Sequence, residues 1–126
     1  MPRTDDDSLG DETVLWRRII PSWIAFKDGR YRPASFAFVD RRSFEVSVFV
    51  AHLTDQDELM NPYPSDGLVA FPARLPRTCG GIVAATPENP HQGHRVLVFP
   101  DTRTMRKAAE VLANSSQWVR FVPPPS

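Results

Sequence analysis

Residues 94–114 read HRVLVFPDTRTMRKAAEVLAN, and this stretch decides the fold. Its first six residues form a mostly apolar run that is typical of a strand. Pro100 and Asp101 interrupt the run, and the apolar residues then recur at helical spacing, at Met105, Ala108, Val111 and Leu112. A change from strand to helix periodicity predicts a sheet covered by a helix, which we expect over 102–114 with Asp101 or Thr102 as its cap.

Four further segments have the composition of strands, at 13–20, 44–52, 67–73 and 81–86. Segment 44–52 becomes apolar on both faces toward its end, which indicates a central strand. Residues 54–60 predict one or two helical turns near residue 57, with Thr54 as the N-cap. The sequence therefore predicts an α+β fold, with a mostly antiparallel sheet of about five strands, a C-terminal helix packed on one face and one short helix.

Chain length and charge distribution suggest how the chain is organised. A chain of 126 residues fits one domain. The first twelve residues hold five acids against one arginine, and we expect residues 1–11 to be a disordered acidic tail. The domain then spans 12–122, and residues 123–126 form a Pro-rich tail.

Composition narrows the function classes. The net charge is zero and the basic residues are scattered, which makes a nucleic acid an unlikely partner. No apolar run approaches the roughly 20 residues of a membrane span, so we expect no membrane partner. The single cysteine, Cys79, favours a reducing compartment, and the excess of arginine over lysine favours a bacterial source. We therefore predict a cytoplasmic bacterial protein.

Arg17 is the first residue with a chemical role to assign, because it lies between Leu15 and Ile19 on one face of the first strand. A buried guanidinium needs a partner. One hypothesis is an ion pair with Glu45 or Asp40. The other is a clamp for a carboxylate or phosphate, since the guanidinium fork binds such groups through two donors.

The second hypothesis extends to three more residues. Arg32 and Ser35 follow an Asp-Gly turn and offer further donors, and His94 lies at a strand end, where catalytic groups often occur. Together with Arg17 they would make an anion pocket with a titratable group. The competing interpretation of His94 is a half-buried histidine bonded to the backbone.

Other motifs are incomplete. His91 and His94 have a spacing that suits a metal, but a third ligand is missing, so the sequence predicts no metal site and no cofactor. Ser47 and Ser65 lack a Gly-x-Ser-x-Gly context, which leaves serine hydrolase chemistry without support.

Two functional hypotheses follow. The leading one is a small accessory or regulatory domain without catalytic activity, which binds another protein or a second copy of itself. Its contacts would be aromatic residues in loop-rich segments, namely Trp23, Tyr31, Phe36 and Tyr63. The alternative is a small enzyme or ligand-binding domain for an anionic, nucleotide-like substrate. There Arg17 and Arg32 would bind the substrate, and His94 and Ser35 would be catalytic.

Overall fold

The computed structural model describes residues 3–40 and 42–123. Within these residues the chain forms three α-helices, α1 (Gln56–Met60), α2 (Arg74–Thr78) and α3 (Thr102–Ser115). Short 3₁₀ turns cover Pro21–Trp23, Ser35–Phe38 and Ala51–Leu53. The strands are β1 (Val14–Ile19), β2 (Ile24–Lys27), β3 (Arg30–Pro33), β4 (Glu45–Val50), β5 (Gly67–Pro72), β6 (Ile82–Ala85), β7 (His94–Val98) and β8 (Gln117–Arg120).

The strands form one antiparallel sheet in the order β6-β7-β4-β1-β5-β8, and β2 and β3 pair as a separate hairpin. The predicted α+β class, mostly antiparallel sheet and C-terminal helix are confirmed. The strand number is larger than the predicted five, because β8 adds a sixth strand and the hairpin stands apart. The hairpin turns at Asp28 and Gly29, which both have positive φ, as a two-residue turn requires.

One face of the sheet, here called the helix face, packs against α3. Asp101 begins this helix by accepting a hydrogen bond from the Thr104 N–H at 2.7 Å. Met105, Ala108 and Leu112 of the predicted stripe are buried against alternate residues of the strands, whereas Val111 is only half-buried and Ala109 and Ala113 complete the buried face. The shared core includes Leu15, Ile19, Val46, Val48, Val50, Val69, Phe71, Leu97, Met105, Ala108 and Leu112.

The opposite face, here called the open face, carries the other residues of each alternating strand. In β4 and β7 these are Ser47, Phe49 and His94, and β1 contributes Arg18. Cross-strand register places Phe49 directly opposite His94. Polar and aromatic side chains thus gather on this face, where no long helix packs.

The N-terminal segment differs from the expected disordered tail. Asp6 N–H bonds the carbonyl oxygen of Val83 at 2.7 Å, and Asp5 forms a bridge with Ala84, so the segment covers the outer edge of β6. Leu9 is buried in the core. Acidic side chains here are partners of distant arginines, which local composition does not reveal. Residues 1 and 2 of the predicted tail, and residues 124–126 of the Pro-rich tail, lie outside the described residues.

One local prediction also changes, and two segments form additional elements. Residues 74–78 form α2 between β5 and β6. Asp55, rather than Thr54, caps α1, because the Thr54 hydroxyl instead bonds the Val50 carbonyl at 2.7 Å. Trp118 lies in β8, where its ring packs over Gly67 of β5.

Candidate functional site: a cavity on the open face

A cavity of about 430 Å³ opens beside the central strands β1 and β4. Its walls come from β1 and the turn after it, from β4, from α1 and the loop that follows, and from the segment joining β6 to β7. The lining residues are Arg17, Arg18, Trp23, Ser47, Phe49, Glu58, Leu59, Tyr63, Asn89, His91 and His94. Its size is that of a small-molecule site.

Arg17 shares the helix face of β1 with Leu15 and Ile19, and its guanidinium reaches the cavity where β1 and β4 separate. Its Nε and Nη2 donate to the carbonyl oxygen of Ala37 at 3.1 and 2.9 Å, and its Nη1 donates to that of Ser47 at 2.8 Å. The guanidinium also lies over the ring of Trp23, 5.1 Å from the centroid. Burial, and after it the charge of Arg18, lower the pKa of Arg17 to about 10, which leaves it protonated at neutral pH.

The predicted ion pair of Arg17 with Glu45 or Asp40 is wrong for the residues described. Glu45 instead accepts from Arg3 Nε at 2.7 Å, and Asp40 accepts the backbone N–H groups of residues 42 and 43. Within residues 3–40 and 42–123, no carboxylate forms a salt bridge with Arg17. Carbonyl oxygens and an aromatic face therefore contact its guanidinium directly, and the carboxylate of Asp40 acts on it only at longer range.

His94 connects two hydroxyl groups. Its Nδ1 lies 2.7 Å from the Thr86 Oγ1, and its Nε2 lies 3.2 Å from the Ser47 Oγ. The Thr86 hydroxyl also donates to the His94 carbonyl oxygen at 3.0 Å. Because that bond uses the only hydroxyl proton, Nδ1 is assigned as the donor to Thr86, and the neutral ring accepts from Ser47 through Nε2.

The rings of Phe49, His91 and His94 pack together along the cavity. Phe49 meets His91 and His94 edge to face, with ring centroids 4.9 and 5.3 Å apart. The His91 Nδ1 accepts the Gly93 N–H at 3.1 Å, so a neutral His91 ring carries its proton on Nε2. Burial lowers the pKa of His94, and the nearby His91 lowers it further, which favours the neutral base.

Arg18 and Tyr63 also line the cavity. The Arg18 guanidinium lies over the Tyr63 ring at 3.7 Å from its centroid, and its Nη1 pairs with the buried Asp66. This pairing neutralises Arg18. Arg17, by contrast, supplies positive charge without a carboxylate salt-bridge partner among the described residues.

The structure separates the four residues of the predicted anion pocket. Arg17 and His94 line the cavity, whereas Arg32 and Ser35 lie near α3. Arg32 donates to Asn114 Oδ1 at 2.9 Å and to Asp28 Oδ2 at 3.2 Å. Ser35 begins the 3₁₀ turn that packs against α3. The grouping of four is wrong, because β3 and the 3₁₀ turn after it pack against α3 and keep Arg32 and Ser35 away from the cavity.

Sequence reasoning missed Ser47 as the serine of this site, together with Thr86. Ser47 does alternate with Val46 and Val48, which predicts that it faces away from the core. The pairing of β4 with β7 then brings it to His94, and that register is not written in either strand alone.

The four aromatic residues predicted to bind a partner also separate. Trp23 and Tyr63 line the cavity. Phe36 is exposed beside α3. Tyr31 belongs to what we call the aromatic row, which consists of Phe26, Tyr31, Phe121 and Trp118, with successive ring centroids 4.9, 5.4 and 5.0 Å apart.

Comparison with known proteins assigns no relative, since no family model, curated protein or solved structure matches the chain. In the described part of the chain, no three His, Cys, Asp or Glu side chains are grouped as metal ligands. The helices described there are also too short or too polar to cross a bilayer. The chemistry of the cavity is the remaining guide to function.

Proposed function

We propose that this protein binds a small anionic molecule with a planar ring in the open-face cavity. The observation that carries the proposal is the convergence of Arg17 and His94 on one residue, Ser47, in the wall of a cavity of about 430 Å³. The predicted anionic, nucleotide-like ligand class is kept, with Ser47 in place of Ser35.

The positive charge of Arg17 supports an anionic ligand. Arg17 has five N–H groups, of which three have partners among the described residues. Two N–H groups therefore remain for a carboxylate or phosphate oxygen. A guanidinium bound only by neutral carbonyl oxygens gains most from an anionic ligand.

Ring-bearing ligands are supported by the walls. Trp23, Phe49 and Tyr63 line the cavity, and guanidinium groups lie over the rings of Trp23 and Tyr63. Such surfaces suit a flat ring, while a few polar groups fix its orientation.

Isothermal titration calorimetry with AMP, adenosine and ribose 5-phosphate tests the proposal. We expect AMP to bind more tightly than either fragment, and Arg17→Met to weaken AMP binding at least tenfold while changing adenosine binding little. Arg103→Met is the matched control, because Arg103 is exposed on α3. Absence of binding by all three probes, or equal AMP affinity in Arg17→Met, would contradict the proposal.

A second function, binding of a protein partner, is favoured by the aromatic row. Phe26, Tyr31 and Phe121 are exposed by 65%, 42% and 37%. Beside them Lys27 and Arg30 are directly opposite in the hairpin, an unfavourable pairing of like charges. The turn carboxylate of Asp28 bonds Arg32 instead. An acidic segment with an apolar anchor would therefore complement this surface.

Self-association through the acidic N-terminal segment is less favoured, because Asp5, Asp6 and Asp11 are already paired with Arg77 and Arg95. Selection from a random peptide display library tests the surface. Enriched peptides should combine acids with an apolar residue, and Lys27→Glu/Arg30→Glu should abolish their binding. Peptides that still bind this double variant would exclude the surface as their site.

A further inference from the structure

We propose that Ser47 is a catalytic nucleophile activated by His94, and that the protein hydrolyses carboxylic esters that carry an anionic group. The proposal rests on the proposed function for the place of the substrate. It adds a reaction and names the two residues that perform it.

Geometry supplies the nucleophile and its base. Ser47 Oγ is exposed and lies 3.2 Å from His94 Nε2, within the range of a nucleophile and a general base before substrate binds. Thr86 holds the other ring nitrogen at 2.7 Å and so fixes the tautomer in which Nε2 is the acceptor. Thr86 is a positioning residue, in the place that a carboxylate occupies in the commonest serine triads.

Arg17 places positive charge beside the same serine. Its Nη1 donates to the Ser47 carbonyl oxygen at 2.8 Å, and two of its N–H groups have no partner among the described residues. Those donors can hold the anionic group of the substrate close to Ser47. A fixed cation in a partly enclosed site also stabilises the negative charge that develops during acyl transfer.

The reaction balances without a cofactor. Ser47 Oγ bonds to the ester carbonyl carbon while its proton passes to His94 Nε2, and the carbonyl oxygen becomes an oxyanion. The oxyanion then re-forms the carbonyl, the bond to the alcohol oxygen breaks, and His94 returns the proton to that oxygen. Water then attacks the carbonyl carbon of the acyl-Ser47 ester while His94 Nε2 takes its proton. The bond between that carbon and Ser47 Oγ breaks, and His94 returns the proton to Oγ, which releases the carboxylic acid and the free serine.

Other serines lack this arrangement. The Ser43 hydroxyl donates to the Glu45 carbonyl oxygen, and Ser65 is exposed in the loop before β5. Among the residues described, Ser47 is the serine bonded to a histidine. Ser65→Ala is consequently a matched control for Ser47→Ala.

Labelling of the purified full chain with a fluorophosphonate probe tests the proposal. The Ser47 oxygen should displace fluoride from phosphorus, giving one adduct per chain that peptide mass spectrometry places on Ser47. Ser47→Ala should abolish the adduct, His94→Gln should slow its formation at least a hundredfold, and Ser65→Ala should leave the rate unchanged. Thr86→Val should slow labelling and change its pH profile, which a merely structural role would not do.

Hydrolysis of the mono-4-nitrophenyl ester of succinate gives a second readout, with the same order of variants expected. No adduct on the folded wild type, an adduct on another serine, or equal labelling of Ser47→Ala would overturn the proposal. AMP calorimetry separates this failure from that of the proposed function: AMP binding without labelling refutes hydrolysis alone, and the absence of both refutes both.

Discussion

Arg17 bonds the backbone of Ser47 at the point where two central strands separate. Its Nη1 lies 2.8 Å from the Ser47 carbonyl oxygen. The pairing of β1 with β4 ends at Trp16 and Phe49, and Trp16 is the residue before Arg17 on β1. The guanidinium thus satisfies a carbonyl that faces the gap between the strands. The Arg17 side chain therefore connects β1 to β4 and also gives the cavity a positive charge.

This relationship predicts the cost of removing Arg17. Arg17→Met leaves the carbonyl oxygens of Ala37 and Ser47 without their donor, so we expect the free energy of unfolding to fall by about 1–3 kcal/mol. Urea denaturation followed by circular dichroism measures it. The exposed control Arg103→Met should change it by less than about 0.5 kcal/mol. Equal stability of both variants would show that these bonds contribute nothing.

His94 predicts a pH dependence of stability. Burial, and next the charge of His91, lower its pKa, while Glu88 raises it and Arg3 and Arg95 lower it. The unfolded chain therefore binds the proton first as the pH falls. The contribution of His94 to the unfolding free energy should be fully present above pH 6.5, the ordinary pKa of histidine. It should decrease as the pH falls below that value and become constant below the pKa of His94 in the folded protein.

Thermal unfolding between pH 7.5 and 5 measures this slope. His94→Gln should flatten it, whereas His52→Gln, at an exposed position, should keep the wild-type slope. The carboxyl groups of Asp6 and Glu88 have lowered pKa values and titrate below this window. A slope that persists in His94→Gln would assign the titration to another group.

The packing of Trp118 over Gly67 predicts the effect of a larger residue at position 67. A Cβ at this position would lie 2.7 Å from the Trp118 ring and 3.0 Å from the Arg120 carbonyl oxygen. Gly67→Ala should therefore displace Trp118 from its hydrogen bond with the Tyr31 carbonyl oxygen, which is 3.0 Å long. We expect a loss of about 1–3 kcal/mol in unfolding free energy and a red shift of tryptophan fluorescence.

Gly10→Ala is the matched control, because a Cβ there meets nothing within 4 Å. It should leave both measurements unchanged. A Gly67→Ala variant with wild-type fluorescence would show that the Trp118 ring tolerates the added methyl group without moving.

Arg95 predicts that the N-terminal segment contributes to stability. Its Nε lies 3.0 Å from Asp6 Oδ2, and both side chains are largely buried. Arg95→Met leaves this carboxylate without its charged partner and should lower the unfolding free energy by about 2 kcal/mol. Arg74→Met breaks an exposed pair with Glu12 and should cost less than about 1 kcal/mol. Similar small losses in both variants would show that the N-terminal segment contributes little to stability, as expected for a disordered tail.

Periodicity predicted the elements well, because it depends on neighbouring residues. The spacing of Met105, Ala108 and Leu112 predicts the buried stripe of α3, and Asp101 caps the helix as the sequence suggests. The apolar residues on both faces toward the end of segment 44–52 likewise predict the central position of β4.

Contacts between distant segments were less predictable. The partners of Arg17 depend on where a ladder ends, and the serine beside His94 depends on the register of β4 against β7. Asp5 and Asp6 look like a solvated charge run until Arg77 and Arg95 meet them. Each of these contacts joins residues that no local pattern connects.

The short pairing of β1 with β4 has a mechanical consequence. Two residue pairs join these strands, whereas six join β1 to β5 and five join β4 to β7. Main-chain hydrogen bonds thus divide the sheet into two leaves, which side chains of the common core connect. Arg17 and Trp23 come from one leaf and its following turn, and Phe49 and His94 from the other. If the proposed ligand binds between them, it adds to the two backbone pairs that join the leaves, and we expect the loaded protein to unfold more cooperatively than the free one.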